Sequence, residues 1–86
     1  MLTEGEIDLA LLIIDTLNLE FDIETAEPAT PIYGEGFGLD SIDILEVALA
    51  VSQRYGVKLR SDDKNNVAIF RSLRDLNDYI QANRTK

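Results

Sequence analysis

Apolar residues recur at helical spacing near the start of the chain. They would share one helix face: Ile7, Ala10, Leu11, Ile14 and Leu17. This pattern is typical of an amphipathic helix that packs against a core. Thr3 and Glu6 precede the run with the spacing of a capping box, which satisfies two of the free amide groups at a helix start. The sequence therefore predicts a first helix from about Thr3 to Leu19.

The next strong helical pattern lies mid-chain and is more apolar. Its apolar positions cover most of the helical wheel: Ile42, Ile44, Leu45, Val47, Ala48, Leu49, Val51 and Tyr55. Its polar residues share one narrow stripe: Asp43, Glu46, Gln53 and Arg54. Asp40 can cap the helix, and Leu39 and Ile44 have the spacing of a hydrophobic staple. Gly56 is a natural stop. We expect this helix, residues 42–55, to be the central element of the core.

A long connection, residues 20–40, separates these two helices. Pro28 and Pro31 forbid a continuous helix through it. Glycines alternate near its end, at Gly34, Gly36 and Gly38. Its apolar residues are expected to anchor it to the helices: Phe21, Ile23, Ile32, Tyr33, Phe37 and Leu39. Loops of this length inside a compact domain are usually functional.

Two more helices are predicted in the last third of the chain. A short one would begin after Asp62 or Asp63 and run to about Ile69. Ser72 then caps a last helix, with Asp75 at its third position. The apolar face of that helix consists of Leu73, Leu76, Tyr79 and Ile80. The expected fold is all-α: a small, largely antiparallel four-helix bundle of three main helices and a short third one, with the long loop crossing it.

The length of 86 residues suits one small domain, residues 1–86. The chain contains no cysteine and no histidine, so it lacks thiolate metal ligands and the commonest general base. A Ser-His-Asp hydrolase is excluded, and we predict a protein that is not an enzyme. The longest apolar run, Leu9 to Ile14, is far shorter than the ~20 residues of a membrane span. An acidic N-terminus is unlike a signal peptide, so we expect a cytoplasmic protein. We also expect it to be a monomer.

Charge is distributed unevenly along the chain. Residues 1–53 contain twelve acidic residues and no lysine or arginine, whereas residues 54–86 contain eight basic and four acidic residues. Nucleic acid is not an expected partner, because the strongest field has the wrong sign for phosphate. The acidic part could simply keep a small domain in solution, or it could dock on a basic protein surface.

Ser41, at the predicted start of the second helix, is the candidate for chemistry. With no histidine to activate it, Ser41 is better interpreted as a target of modification than as a catalyst. An anion attached there would lie near free amide groups and the positive end of the helix dipole. The alternative is that Ser41 merely helps to start the helix. Asp40 and Asp43 could bracket a divalent ion, but a cap and a first-turn acid explain them better, and no metal is predicted.

The segment Gly38-Leu39-Asp40-Ser41-Ile42-Asp43 resembles the phosphopantetheine attachment motif of acyl carrier proteins, usually Gly-x-Asp-Ser-Leu. The order of helices, the long loop, the acidity and the chain length are similar to that family over essentially all residues. The resemblance implies that a phosphopantetheinyl transferase attaches 4′-phosphopantetheine from coenzyme A to Ser41. The arm would then carry acyl groups as thioesters for enzymes of fatty-acid, lipid or polyketide biosynthesis.

The resemblance also implies roles for the second helix. Asp40, Asp43 and Glu46 match the acidic positions that dock on basic patches of partner enzymes. Leu45 and Leu49 are candidates for lining an acyl pocket between helices, the alternative being that both are ordinary core residues.

Three departures from the family pattern favour a carrier of a specialised pathway. Ile42 replaces the usual leucine, the second helix continues with Ser52, Gln53 and Arg54 where many fatty-acid carriers stay acidic, and the last third of the chain is net basic. Two other functions stay open: a peptidyl carrier of a nonribosomal assembly line, and an unmodified acidic adaptor that binds a basic partner.

Overall fold

The computed structural model describes residues 2–32, 36–59 and 66–85. Four α-helices lie in these ranges: α1 (Glu4–Leu17), α2 (Ser41–Tyr55), the short α3 (Asn66–Ile69) and α4 (Leu73–Asn83). A single 3-10 turn, Ile23–Thr25, lies in the connection between α1 and α2. The predicted all-α class is confirmed, and the described ranges contain no strand. Tyr33, Gly34, Asp62 and Asp63, which the sequence predictions invoke, lie outside the described residues.

Helix α1 begins at the predicted capping box. The Thr3 hydroxyl accepts the amide N–H of Glu6 at 3.2 Å, and Glu6 Oε1 accepts the amide N–H of Thr3 at 2.8 Å. The predicted end at Leu19 is wrong by two residues. Asn18 adopts a left-handed conformation, φ 52° and ψ 48°, and the amide of Leu19 donates a hydrogen bond to the carbonyl of Ile14. Asparagine tolerates this conformation better than most residues, which explains why the helix stops here.

The core lies between α1, α2 and α4. Its fully or almost fully buried residues come from all three helices and from the segments before and after α2: Leu9, Ala10, Ile13, Ile32, Phe37, Leu39, Ile44, Val47, Ala48, Val51, Tyr55, Val57, Phe70, Leu73, Leu76 and Ile80. Helix α1 packs on both α2 and α4. Helix α2 contributes Ile44, Val47, Ala48, Val51 and Tyr55 to this core. The helix that packs on both of the others is α1, so the predicted central position belongs to α1 rather than to α2.

The long connection is fixed at two places. Phe21 and Phe37 stack with their ring centroids 4.4 Å apart, which joins its two ends. The amides of Leu73 and Arg74, which are among the free donors at the start of α4, donate to the carbonyls of Thr30 and Pro28, each at 2.9 Å. The connection therefore supplies part of the N-terminal cap of α4, beside the hydrogen bond that the Ser72 hydroxyl accepts from the amide of Asp75.

One charged side chain, Glu6, is buried at the contact between α1 and α4, with 2% of its surface exposed. Its Oε2 lies 3.5 Å from Nε of Arg74. Burial alone would raise the pKa of Glu6, but the hydrogen bonds from Thr3 and the Arg74 guanidinium outweigh burial, so that the pKa lies below its ordinary value.

Candidate functional site

Ser41 is the first residue of α2, and its side chain is exposed. The first intrahelical hydrogen bond runs from the amide of Ile44 to the carbonyl of Asp40 at 3.0 Å. No hydrogen bond among the described residues uses the Ser41 hydroxyl. The structure thus presents a hydroxyl that is accessible from solvent, at the positive end of a fifteen-residue helix dipole.

Asp40 and Asp43 flank this hydroxyl in a reciprocal capping box. Asp40 Oδ1 accepts the amide N–H of Asp43 at 2.9 Å, and Asp43 Oδ2 accepts the amide N–H of Asp40 at 3.4 Å. The sequence predicts the cap but not the return bond, because the third helical position carries aspartate rather than the usual glutamate or glutamine. Capping accounts for both carboxylates. Within the three described ranges, no three acidic side chains gather in a way that could hold a metal ion.

The three predicted docking acids are not equivalent. Asp40 and Glu46 are exposed, whereas Asp43 is half-buried and makes the return bond of the capping box. A charge reversal at Asp43 would therefore remove a capping bond as well as a docking charge. Glu46 has no capping role, so it is the position at which docking can be tested apart from stability.

Leu45 and Leu49 are exposed, by 48% and 60% of their surface, and Ile42 is exposed by 66%. The interpretation of the two leucines as ordinary core residues is therefore wrong. The buried face of α2 consists of Ile44, Val47, Ala48, Val51 and Tyr55. At 100° per residue, Leu45 and Leu49 lie about 100° to 140° from the centre of that face. We call Ile42, Leu45 and Leu49 the apolar ridge.

An open surface pocket of about 340 Å³ lies elsewhere, at the start of α4, where Glu27, Pro28, Ala29, Ser72 and Arg74 line it. It does not include Leu45 or Leu49. The acyl-pocket role of these two leucines stays a prediction.

The approach to Ser41 is built on a tight turn. Gly36 has φ 78° and Gly38 has φ 71°, both in the left-handed region. A Cβ atom on Gly36 would lie 2.3 Å from the carbonyl oxygen of Pro31, the same oxygen that accepts the amide of Phe37 at 3.1 Å. Leu39 and Ile44, the predicted staple, are both buried. Residues 36–39 therefore present Ser41 on a packed support, in which Phe37 and Leu39 are buried.

A family model described as "Phosphopantetheine attachment site" matches residues 9–80 of this chain. The match covers most of the chain: it begins within α1, includes the start of α2 where Ser41 lies, and ends within α4. The chain belongs to this family of phosphopantetheine-binding carrier domains.

Members of this family carry covalently attached 4′-phosphopantetheine and are carriers rather than enzymes. A carrier of this kind implies a phosphopantetheinyl transferase and enzymes that handle its cargo as partners. The accessible hydroxyl at the start of α2 fits the covalent group, because an attached phosphate would lie next to the free amides of the first turn. In residues 2–32, 36–59 and 66–85, no helix has the length and apolar content needed to cross a membrane.

Proposed function

We propose that Ser41 is the attachment residue for 4′-phosphopantetheine and that this chain is an acyl carrier protein of a specialised pathway for a fatty acid, another lipid or a polyketide. The observation that carries the proposal is the Ser41 hydroxyl itself: it is exposed, unused by the fold and located at the first position of α2. The other described serines are less suitable, since Ser72 caps α4 and Ser52 is half-buried within α2.

In the attachment reaction this chain supplies the hydroxyl of Ser41, and the transferase supplies the base. The Ser41 oxygen forms a bond to the phosphorus of the pantetheine phosphate in coenzyme A, and that phosphorus releases adenosine 3′,5′-bisphosphate. The hydroxyl proton passes to a base on the transferase. Neither histidine nor cysteine is needed here, and the chain has neither. When attached, the arm supplies a terminal thiol on which an acyl group is held as a thioester.

The surroundings of Ser41 suit a partner that is basic and partly apolar. Asp40 and Glu46 place exposed carboxylates near the attachment residue, with Asp43 half-buried between them. The apolar ridge begins at the next residue after Ser41. Exposed charges mainly accelerate and orient association, while a few desolvated apolar side chains supply binding energy. We assign Asp40, Asp43 and Glu46 to docking, with the ridge as the apolar part of the same interface.

Leu45 and Leu49 keep a proposed role with cargo, but from the outer side of α2. An acyl chain would contact them by lying along the helix rather than by entering the core. We also propose that the short α3 is the fourth helix of a four-helix carrier bundle.

The test is modification in vitro. The purified chain is incubated with a phosphopantetheinyl transferase of broad specificity, magnesium and coenzyme A, and its intact mass is measured. We expect the wild type to gain one phosphopantetheine group. Ser41→Ala should gain none, whereas the matched variant Ser52→Ala, in the same helix, should gain one. Modification of Ser41→Ala, or none of the wild type, would contradict the proposal.

The class of cargo needs its own measurement. The modified chain is offered to an acyl-acyl carrier ligase with fatty acids and to an adenylation enzyme with amino acids. We expect loading with acyl groups. Loading with amino acids alone would instead favour a peptidyl carrier. A chain that binds a basic partner equally well with Ser41→Ala, and is never modified, would be an adaptor.

A further inference from the structure

The polar stripe along α2 reverses its charge from one end to the other. Near Ser41 it carries Asp43 and Glu46, and in the last turn it carries Arg54. With a rise of 1.5 Å per residue, Arg54 lies about 16 Å along the helix axis from Asp43. One exposed helix surface therefore offers negative charge at its start and positive charge at its end.

The positive end is larger than Arg54 alone. Lys58, just after α2, and Arg84, just after α4, are also exposed at this end of the molecule. The guanidinium carbons of Arg54 and Arg84 lie 5.9 Å and 4.9 Å from the centre of the Tyr55 ring. The amide of Thr85 donates to the carbonyl of Tyr55 at 3.0 Å, which holds the C-terminal segment beside α2. The fold thus brings together cations that lie thirty positions apart in sequence.

The apolar ridge connects the two charged ends. Ile42, Leu45 and Leu49 follow one another at spacings of three and four residues, so they form a row along α2 beside the polar stripe. A last-turn arginine by itself is explained by the helix dipole. The dipole of α2 does not explain Lys58, which lies beyond the end of that helix. Arg84 is the C-cap residue of α4 and adds a second cation beside Tyr55.

Building on the carrier function proposed above, we propose that α2 docks in one orientation on a partner protein whose surface has three parts. That surface is basic beside the opening through which the arm of Ser41 enters, apolar opposite the ridge, and acidic about 16 Å farther along. A uniformly basic docking patch would attract the start of α2 and repel its end. The reversal therefore selects partners by charge pattern and sets the direction in which α2 lies on them.

The test uses two lactam-stapled helical peptides with the same apolar stripe. One carries lysines at one end and glutamates at the other, and the second carries lysines at both ends. Binding to the full chain is measured by fluorescence anisotropy at low ionic strength. We expect the wild type to bind the peptide of mixed sign about five-fold more tightly than the all-lysine peptide.

Charge reversal supplies the decisive comparison. Arg54→Glu or Lys58→Glu should reduce the preference to about two-fold or less, and the double variant should invert it. Arg71→Glu, which changes an exposed arginine outside α2, should leave the five-fold preference intact. Thermal unfolding confirms that each variant is folded.

Equal or tighter binding of the all-lysine peptide by the wild type would overturn the proposal, as would a preference that survives the double variant. The readout does not involve Ser41. The expected five-fold preference in a chain that no transferase modifies would keep the docking surface and reject the carrier function. A chain that is modified but shows no preference between the peptides would keep the carrier function and reject the docking surface.

Discussion

The buried carboxylate of Glu6 gives the sharpest test of how the fold is held together. Glu6 closes the capping box of α1 through its 2.8 Å bond from the amide of Thr3, and it contacts Arg74 of α4 at 3.5 Å. Glu6→Gln keeps the shape and one acceptor oxygen but removes the charge. The test therefore isolates the electrostatic part of these contacts.

The expected loss can be worked from the two contacts. A hydrogen bond to a charged group contributes about 1.5 to 3 kcal/mol, against about 0.5 to 1.5 kcal/mol for a neutral one, so the Thr3 bond should weaken by about 1 kcal/mol. The Arg74 contact adds little, since the side chain of Arg74 is 59% exposed and the separation is long. We expect Glu6→Gln to be about 1 kcal/mol less stable at pH 7, a fall in Tm of about 4 to 8 °C.

The pH dependence follows from the lowered pKa of Glu6. The unfolded chain binds a proton at Glu6 more readily than the folded chain does, so the folded state gains stability as the pH rises through this range. The contribution is complete above the ordinary carboxyl pKa of about 4.3 and is lost as the pH falls through the folded value. The difference between wild type and Glu6→Gln should therefore shrink below about pH 4.5.

Urea unfolding of both proteins, followed by circular dichroism from pH 7 to pH 3.5, measures this difference. Arg74→Ala serves as the control and should cost about 0.5 kcal/mol or less, with little change across the range. A Gln variant as stable as the wild type at pH 7, or a deficit that is the same at pH 4 and pH 7, would refute the reasoning.

Further predictions concern the support of Ser41. Gly36→Ala should lower the free energy of unfolding by about 3 kcal/mol, because its Cβ would lie 2.3 Å from the Pro31 carbonyl oxygen at a positive φ. Gly56→Ala, at the end of α2, should lower it by about 1 kcal/mol. Urea unfolding measures both losses, and similar values for the two variants would contradict the clash at Gly36. Asp43→Lys should destabilise the chain by about 1 kcal/mol through loss of the capping box, while Glu46→Lys should stay within about 0.5 kcal/mol of the wild type. Both should slow modification by the transferase at low salt, and unchanged rates would count against docking through the acids of α2.

The local parts of the fold could be predicted from sequence. The caps at Thr3, Asp40 and Ser72 depend on residues three positions apart, so their side-chain patterns are visible in the chain itself. The stop at Gly56 is local for the same reason. The predicted starts of α1, α2 and α4 accordingly agree with the structure to within a residue.

Contacts between distant segments could not be predicted. Glu6 and Arg74 are 68 positions apart, and nothing in the sequence near either residue indicates the other. The position of Ser41 at the start of α2 could be predicted from the sequence around Asp40. The exposure of Leu45 and Leu49 could not be predicted. A helix whose apolar residues cover most of the wheel does not reveal which of its apolar sides the other helices cover, and on α2 the apolar ridge stays exposed.

The measurement that tests the central claim most directly is mass spectrometry of the chain purified from the cells that make it. The intact mass is recorded first, and proteolytic peptides then locate any added group. We expect one phosphopantetheine group, with or without an acyl cargo, on the peptide that contains Ser41. A chain that carries no such group, or carries it on a different residue, would contradict the assignment of Ser41 as the attachment site.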